Sequence, residues 1–357
     1  GTITRSSTTT TARSLYNNNS TVSTSSATLK TTTQSTSTVA IVPCNQDLTI
    51  HVFLGYANSS FQLPIVSQVE VLIGSAAVGD LNSDSHAGIV VCNTSDANVG
   101  VLLGRGDGTF DQPMPIQVVS GPYAIAIVDL NNDQLLDLLV TSTDANVVTV
   151  RLGYGNGAFA PQNSFVTGIM PDSIVTADFN HDNHVDFVVA NYMSQSVTVH
   201  LGIGNGTFLN RHSHITINIP SALGTGDLNE DENMNLISFN CGNSSINVFL
   251  GYGNGIFYLA YAYMDFDCSS SDVIGDFNGD NHLDVLISLI GPDHFSLMFG
   301  DGTGTLGKPQ LFNSHHQPLM LALSDFNGDN RMNFVVSDSL TDTFLRSLRC
   351  IVNKRFS

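Results

Sequence analysis

Six short loops in this 357-residue chain gather acidic and amide side chains at a spacing that suits a hard cation. They open at Asp80, Asp129, Asp178, Asp227, Asp276 and Asp325, each 49 residues after the last. In the second loop Asp129, Asn131, Asp133 and Asp137 occupy positions 1, 3, 5 and 9. Alternating positions turn their oxygens towards one point, as Ca²⁺ with roughly six to eight oxygen ligands requires. Two further loops carry the full set: Asp178, Asn180, Asp182 and Asp186, and Asp276, Asn278, Asp280 and Asp284. Three are degenerate and are expected to be weaker. Asp80, Asn82 and Asp84 are followed by Gly88 at position 9; Asp227, Asn229 and Asp231 by Asn235; Asp325, Asn327 and Asp329 by Asn333.

Position 7 is expected to offer only its carbonyl, leaving its side chain free to vary as His86, Leu135, His184, Asn233, His282 and Arg331. Positions 2 and 8 are apolar (Leu81 and Ala87, Phe179 and Val185, Phe277 and Leu283) and should face a core. An EF-hand needs Glu at position 12 between flanking helices. Val91, Val140, Val189, Ser238, Ile287 and Val336 stand there instead, which excludes it.

The elements that position these loops read as strands. Around the second loop, apolar and β-branched runs at Ala124–Leu130, Leu135–Thr141 and Val147–Leu152, and near Ser164–Val166, are separated by Gly, Asn and Asp turns. A Gly-rich turn recurs in the same phase, at Gly55, Gly104, Gly153, Gly202, Gly251 and Gly300. Phe61, Phe110, Phe159, Phe208, Phe257 and Leu306 follow each by six residues, placed to plug the core. A phosphate cradle needs a helix after the glycines, and a strand follows here. Four-stranded units with two apolar faces must stack, and radial stacking gives an all-β propeller. The hairpin of second and third strands recurs seven times, so seven blades are expected, one closed by strands from both chain ends; six is the alternative.

Residues 1–38 are rich in Ser and Thr and poor in large apolar side chains, the composition of a disordered linker or stalk; 39–357 form the repeat domain. Net charge is −19, with about half of the 31 acidic residues in the loops, which argues against nucleic-acid and anionic membrane partners. No apolar run approaches the ~20 residues of a transmembrane helix. Cys44, Cys92, Cys241, Cys268 and Cys350 lack zinc-site spacing; Cys241 with Cys268, or Cys44 with Cys92, are pairings left open. Asn58, Asn93, Asn205 and Asn243, and Asn18 and Asn19 in the tail, head glycosylation sequons. Sequons and Ca²⁺ loops together indicate a secreted or cell-surface setting.

No HExxH, GxSxG or P-loop occurs, and His212, His214, His315 and His316 read as loop histidines. No catalytic residue is assigned. Asp-x-Asn-x-Asp-x-x-x-Asp, a strand, and a Gly-x-Gly-x-Gly-x-Phe turn resemble the FG-GAP/VCBS repeat, the unit of integrin alpha propellers, over roughly residues 39–345. The resemblance implies Ca²⁺ loops between first and second strands on a lower face. It also implies a ligand face on the opposite end, where Tyr192, Tyr261, Tyr263 and His294 would anchor a protein or glycan. Adhesion or recognition is the implied activity. A propeller attached to a hydrolase or lyase activity, or a structural repeat with no dedicated ligand, are the alternatives.

Overall fold

The computed structural model describes residues 73–94, 96–209, 212–215, 219–242, 244–264, 269–289 and 294–313. Outside these it describes the strands Thr8–Thr10, Ser26–Leu29, Val39–Cys44, Thr49–Leu54, Ile65–Gln68, Pro318–Ser324, Asn333–Asp338 and Arg349–Ile351, mostly as backbone. Every regular element among them is a strand, so no helix among the described residues is long and apolar enough to cross a membrane.

The third sheet shows how one repeat folds. Pro122–Val128, Asp137–Ser142, Val147–Arg151 and Asn163–Val166 pair antiparallel in chain order. The acidic loop joins its first two strands and the Gly-rich turn its last two. Both loop ends differ slightly from expectation: position 9, Asp137, is the first residue of the second strand and pairs with Val128. Among the described residues there are seven antiparallel sheets, five of four strands like this one, the first of five strands and the last of three. Two short strands, Thr8–Thr10 and Ser26–Leu29, fall within the Ser/Thr-rich segment and extend the first sheet, since backbone pairing at a sheet edge makes no demand for large side chains. No described sheet mixes strands from both chain ends, contrary to the expected shared closure; the last sheet is Pro318–Ser324, Asn333–Asp338 and Arg349–Ile351 alone.

First strands of successive sheets lie side by side, and Ser26–Leu29 touches both Ile73–Gly79 and Pro318–Ser324. The core lies between sheets: Val90, Val99, Ile125, Leu138 and Val140 form one cluster across two neighbours, and Leu139, Val148, Phe187 and Val189 the next. Phe110, Phe159 and Phe208, on the Gly-rich turns, pack against these clusters, and Phe257 and Leu306 are buried in theirs. Gly104, Gly153, Gly202, Gly251 and Gly300 are fixed by close approach: a methyl group at Gly153 would lie 2.2 Å from the Leu136 carbonyl oxygen, and the other four meet the same position-8 backbone.

Candidate metal centres on the loop face

In each described loop positions 4 and 6 are left-handed, at Ser83 and Ser85, Asn132 and Gln134, His181 and Asn183, Glu230 and Glu232, and Gly279 and Asn281. That alternation turns successive N–H groups inwards and builds an anion-holding concavity. The first aspartate fills it. Asp129 accepts from the N–H groups of Asp133 (3.1 Å) and Gln134 (2.7 Å), and Asp178 from those of Asp182 (3.3 Å) and Asn183 (2.8 Å). Position 3 donates its amide to position 5, as Asn131 does to Asp133 at 2.9 Å.

Position 9 does something sequence reasoning missed. Asp137 is fully buried and takes the N–H of Leu130 (2.8 Å) on one oxygen and the N–H of Gly153 (2.8 Å) on the other. Asp186 holds Phe179 (2.8 Å) and Gly202 (2.7 Å), and Asp284 holds Phe277 and Gly300, both 2.9 Å. This carboxylate staples the acidic loop to the Gly-rich turn of its own sheet. The position-2 carbonyl then receives the next sheet's turn: Gly206 N–H donates to Leu130 O (3.3 Å), Gly255 to Phe179 (2.9 Å), and Gly304 to Leu228 (2.9 Å).

The degenerate copies show what the carboxylate contributes. Asn235 accepts the Leu228 N–H at 2.7 Å, but its buried Nδ2 has no partner. An amide cannot present two acceptors. Restoring them by Asn235→Asp removes a stranded donor, worth roughly 1–3 kcal/mol by itself, against the cost of a buried charge. We expect a net gain of about 1 kcal/mol in excess calcium, read as a higher melting temperature. Gly88 supplies no side chain at all.

Burial pushes the Asp137 carboxyl up to about 6, the two N–H bonds oppose this, and the charges of Asp133 and Asp129 add to it. Asp186 and Asp284 are raised to about 6 in the same way, by burial first and then by Asp182 and Asp178, or Asp280 and Asp276. A folded value above the unfolded one, near 4, means that the folded state binds extra protons between the two. Stability from these groups is therefore full below pH ~4 and lost as pH rises through about 6. Metal-free protein should show a melting temperature that falls as pH rises from about 4 through about 6, and excess calcium should flatten that slope in calorimetry.

As the loops stand, the aspartates cap backbone N–H groups, and no three acidic, His or Cys side chains among the described residues are grouped as a metal centre. The donor chemistry nonetheless fits calcium. All side-chain donors are oxygens, an exposed and a half-buried carboxylate adjoin a buried third, and the Asp133 and Asp137 oxygens each accept a single N–H, which leaves a second lone pair on each. Asp129, Asn131, Asp133 and Asp137, with the Leu135 carbonyl, would hold the ion, as would the matching residues from Asp178 to Asp186 and Asp276 to Asp284. The loop at Asp325, Asn327 and Asp329 lies outside the described residues.

Position 7 is not free, contrary to expectation. Its side chain lies over the turn glycine of its own sheet, where a methyl on Gly204 would meet the His184 ring at 2.4 Å. It also reaches position 4 of the preceding loop. Asn132 Nδ2 lies 3.3 Å from His184 Nδ1, His181 Nε2 lies 2.7 Å from Asn233 Oδ1, and His282 Nδ1 lies 2.5 Å from Glu230 Oε1. The sign of these contacts in the sequence is a 52-residue separation, one repeat plus three.

The expected ligand face divides. Tyr192 follows the second strand of the fourth sheet and His294 opens the third strand of the sixth, both at the end opposite the acidic loops. Tyr261 and Tyr263 stand in a strand and not in a connection between sheets. They belong to the outermost strand Phe257–Tyr263 of the fifth sheet and pack on its core, where the Tyr263 hydroxyl accepts the Leu306 N–H at 2.7 Å. Among the sequons, Asn205 is exposed, its side-chain oxygen accepting the Thr207 N–H and hydroxyl at 3.0 and 2.6 Å. Asn93 is buried and donates to Asn98, so a glycan there is incompatible with the fold. Asn58 and Asn243 lie outside the described residues. Cys92 is a free, fully buried thiol raised by burial, which rules out its pairing with Cys44, whereas Cys241 is disulfide-bonded.

Comparison with known proteins agrees with this architecture. The FG-GAP-like repeat model matches residues 80–140, 129–189 and 276–336. No curated protein matches the sequence. Among solved structures, BBS1N in complex with ARL6DN superposes with a TM-score of 0.63 at 10% identity, covering 88% of each chain. A lectin of Agrocybe aegerita that recognises non-reducing terminal N-acetylglucosamine gives 0.58 at 16% identity, covering 82% of this chain and 81% of its own. A putative 6-phosphogluconolactonase from Bacteroides uniformis gives 0.63 at 11% identity, covering 86% and 97%. At these identities the likeness concerns the fold alone. With matched repeats carrying the loop and turn described above, and sheets stacked along their first strands, the chain is an FG-GAP-repeat β-propeller.

Proposed function

We propose that this propeller binds calcium in its acidic loops, works outside the cell, and recognises a protein or glycan on the end opposite those loops. The observation that carries the reading is the clustering, in the loops opening at Asp129, Asp178 and Asp276, of one exposed and one half-buried carboxylate against a fully buried third. Repulsion within such a cluster is relieved by a cation. The disulfide at Cys241 and the exposed sequon at Asn205 support an oxidising, secretory setting. Connections between second and third strands, where Tyr192 and His294 stand, are held by a rigid scaffold, the usual home of binding residues. The lectin neighbour supports a glycan and the ARL6DN complex a protein partner.

Equilibrium dialysis against radioactive calcium tests the first part; no retention by the purified chain overturns it. Glycan and protein arrays, probed with calcium present, test the second. Catalysis is the other reading, with the putative lactonase neighbour in its favour. Turnover of lactone, ester or polysaccharide substrates would replace recognition with it.

A further inference from the structure

We propose that the acidic loops of four consecutive sheets act as one coupled row, in which calcium held by one loop raises the affinity of the next. This deepens the calcium reading and rests on it. The carrier is the relay of side chains from position 4 of each loop to position 7 of its successor: Asn132 to His184, His181 to Asn233, Glu230 to His282.

Both ends of each link adjoin the donors. Position 4 lies between the side-chain donors at 3 and 5, and its left-handed backbone (φ 60°, 60° and 57° at Asn132, His181 and Glu230) aims it across the gap between sheets. Position 7 would give its carbonyl to the ion. A cation that draws positions 1, 3, 5 and 7 of one loop together therefore fixes the residue that the neighbouring loop touches. Ordering already supplied by one ion need not be supplied again by the next, which is positive coupling.

The row has defined ends. At one end the residue 52 positions after Ser83 is Leu135, whose side chain has no hydrogen bond to give, and at the other Gly279 has no side chain. The links thus join the loops opening at Asp129, Asp178, Asp227 and Asp276. The degenerate loop at Asp227, short of one carboxylate, is tied on both sides to loops with full sets. Coupling would load that loop at calcium concentrations at which it stays empty by itself.

The test is a calcium isotherm by dialysis and calorimetry on the intact chain and on the triple variant Asn132→Ala/His181→Ala/Glu230→Ala, which touches no assigned donor. The intact chain should bind with a Hill coefficient above one. The variant should bind non-cooperatively, with affinity of the Asp227 loop lowered about fivefold, the low end for coupled sites. His181→Gln, which keeps an amide able to reach Asn233, should retain the steep isotherm. Isotherms of equal steepness for intact and variant chains would overturn the coupling and leave the calcium reading standing. No calcium retained by the intact chain would overturn both. Circular dichroism on each variant separates lost coupling from lost fold, and a folded variant with unchanged steepness decides against the relay.

Discussion

Gly202→Ala should destabilise the propeller by about 3 kcal/mol, the upper part of the range for overpacking a rigid site. Its added methyl would lie 2.2 Å from the Val185 carbonyl oxygen. That neighbour is backbone, so no rotamer change relieves the clash. Two things must give way together: the isolated pairing of Gly202 with Phe208, and the 2.7 Å bond from the Gly202 N–H to Asp186. Gly279→Ala is the control. A methyl there meets nothing within 4 Å, and the φ of +84° imposes conformational strain alone, about 1–2 kcal/mol. Urea unfolding of both variants checks the order. A Gly202→Ala protein as stable as the parent would mean that loop and turn are not held as described.

Removing calcium should have an effect of similar size. For site affinities on the order of 0.1 mM, as in extracellular modules, calcium at about 1 mM adds roughly 1.4 kcal/mol for each occupied site. Three full loops then contribute about 4 kcal/mol, a large share of an ordinary folding free energy. Chelation should lower the melting temperature by several degrees. Asp182→Ala, which deletes a position-5 carboxylate and leaves the Asp186 staple intact, should reduce the calcium-dependent part by about a third. A melting temperature indifferent to chelator would leave the carboxylates with only the N–H capping role seen in the loops.

Much of this was legible in the sequence because the repeat is regular. One phase fixed Asp129 against Asp178 and Gly153 against Gly202, and aromatic residues six beyond each glycine do enter the core. Strand order followed from turn spacing. What escaped was contact between repeats. Reading one loop in isolation, position 7 needs only a carbonyl, and nothing within a single repeat shows His184 meeting Asn132. The second use of position 9 was hidden for the same reason. A buried Asp at a strand start looks like a ligand, whereas its bonds to Leu130 and Gly153 depend on how two turns fold together. Tyr261 and Tyr263 were misplaced because the fifth sheet runs its Gly-rich turn directly into a seven-residue outer strand, Phe257–Tyr263, where the others have four. The sequon at Asn93 was plausible by motif alone and fails on burial.

The staples also give the ring a direction. Each carboxylate secures the turn of its own sheet and, through the position-2 residue, the turn of the sheet that follows, never the one before. Damage should travel one way round, like a zip opened from a missing tooth. Among the described loops two teeth are already missing: Gly88 in the second sheet offers no carboxylate, and Asn235 in the fifth offers half of one. Thermal fraying should start at those two sheets and run towards the carboxy-terminal side of each, which residue-resolved hydrogen exchange on heating would show.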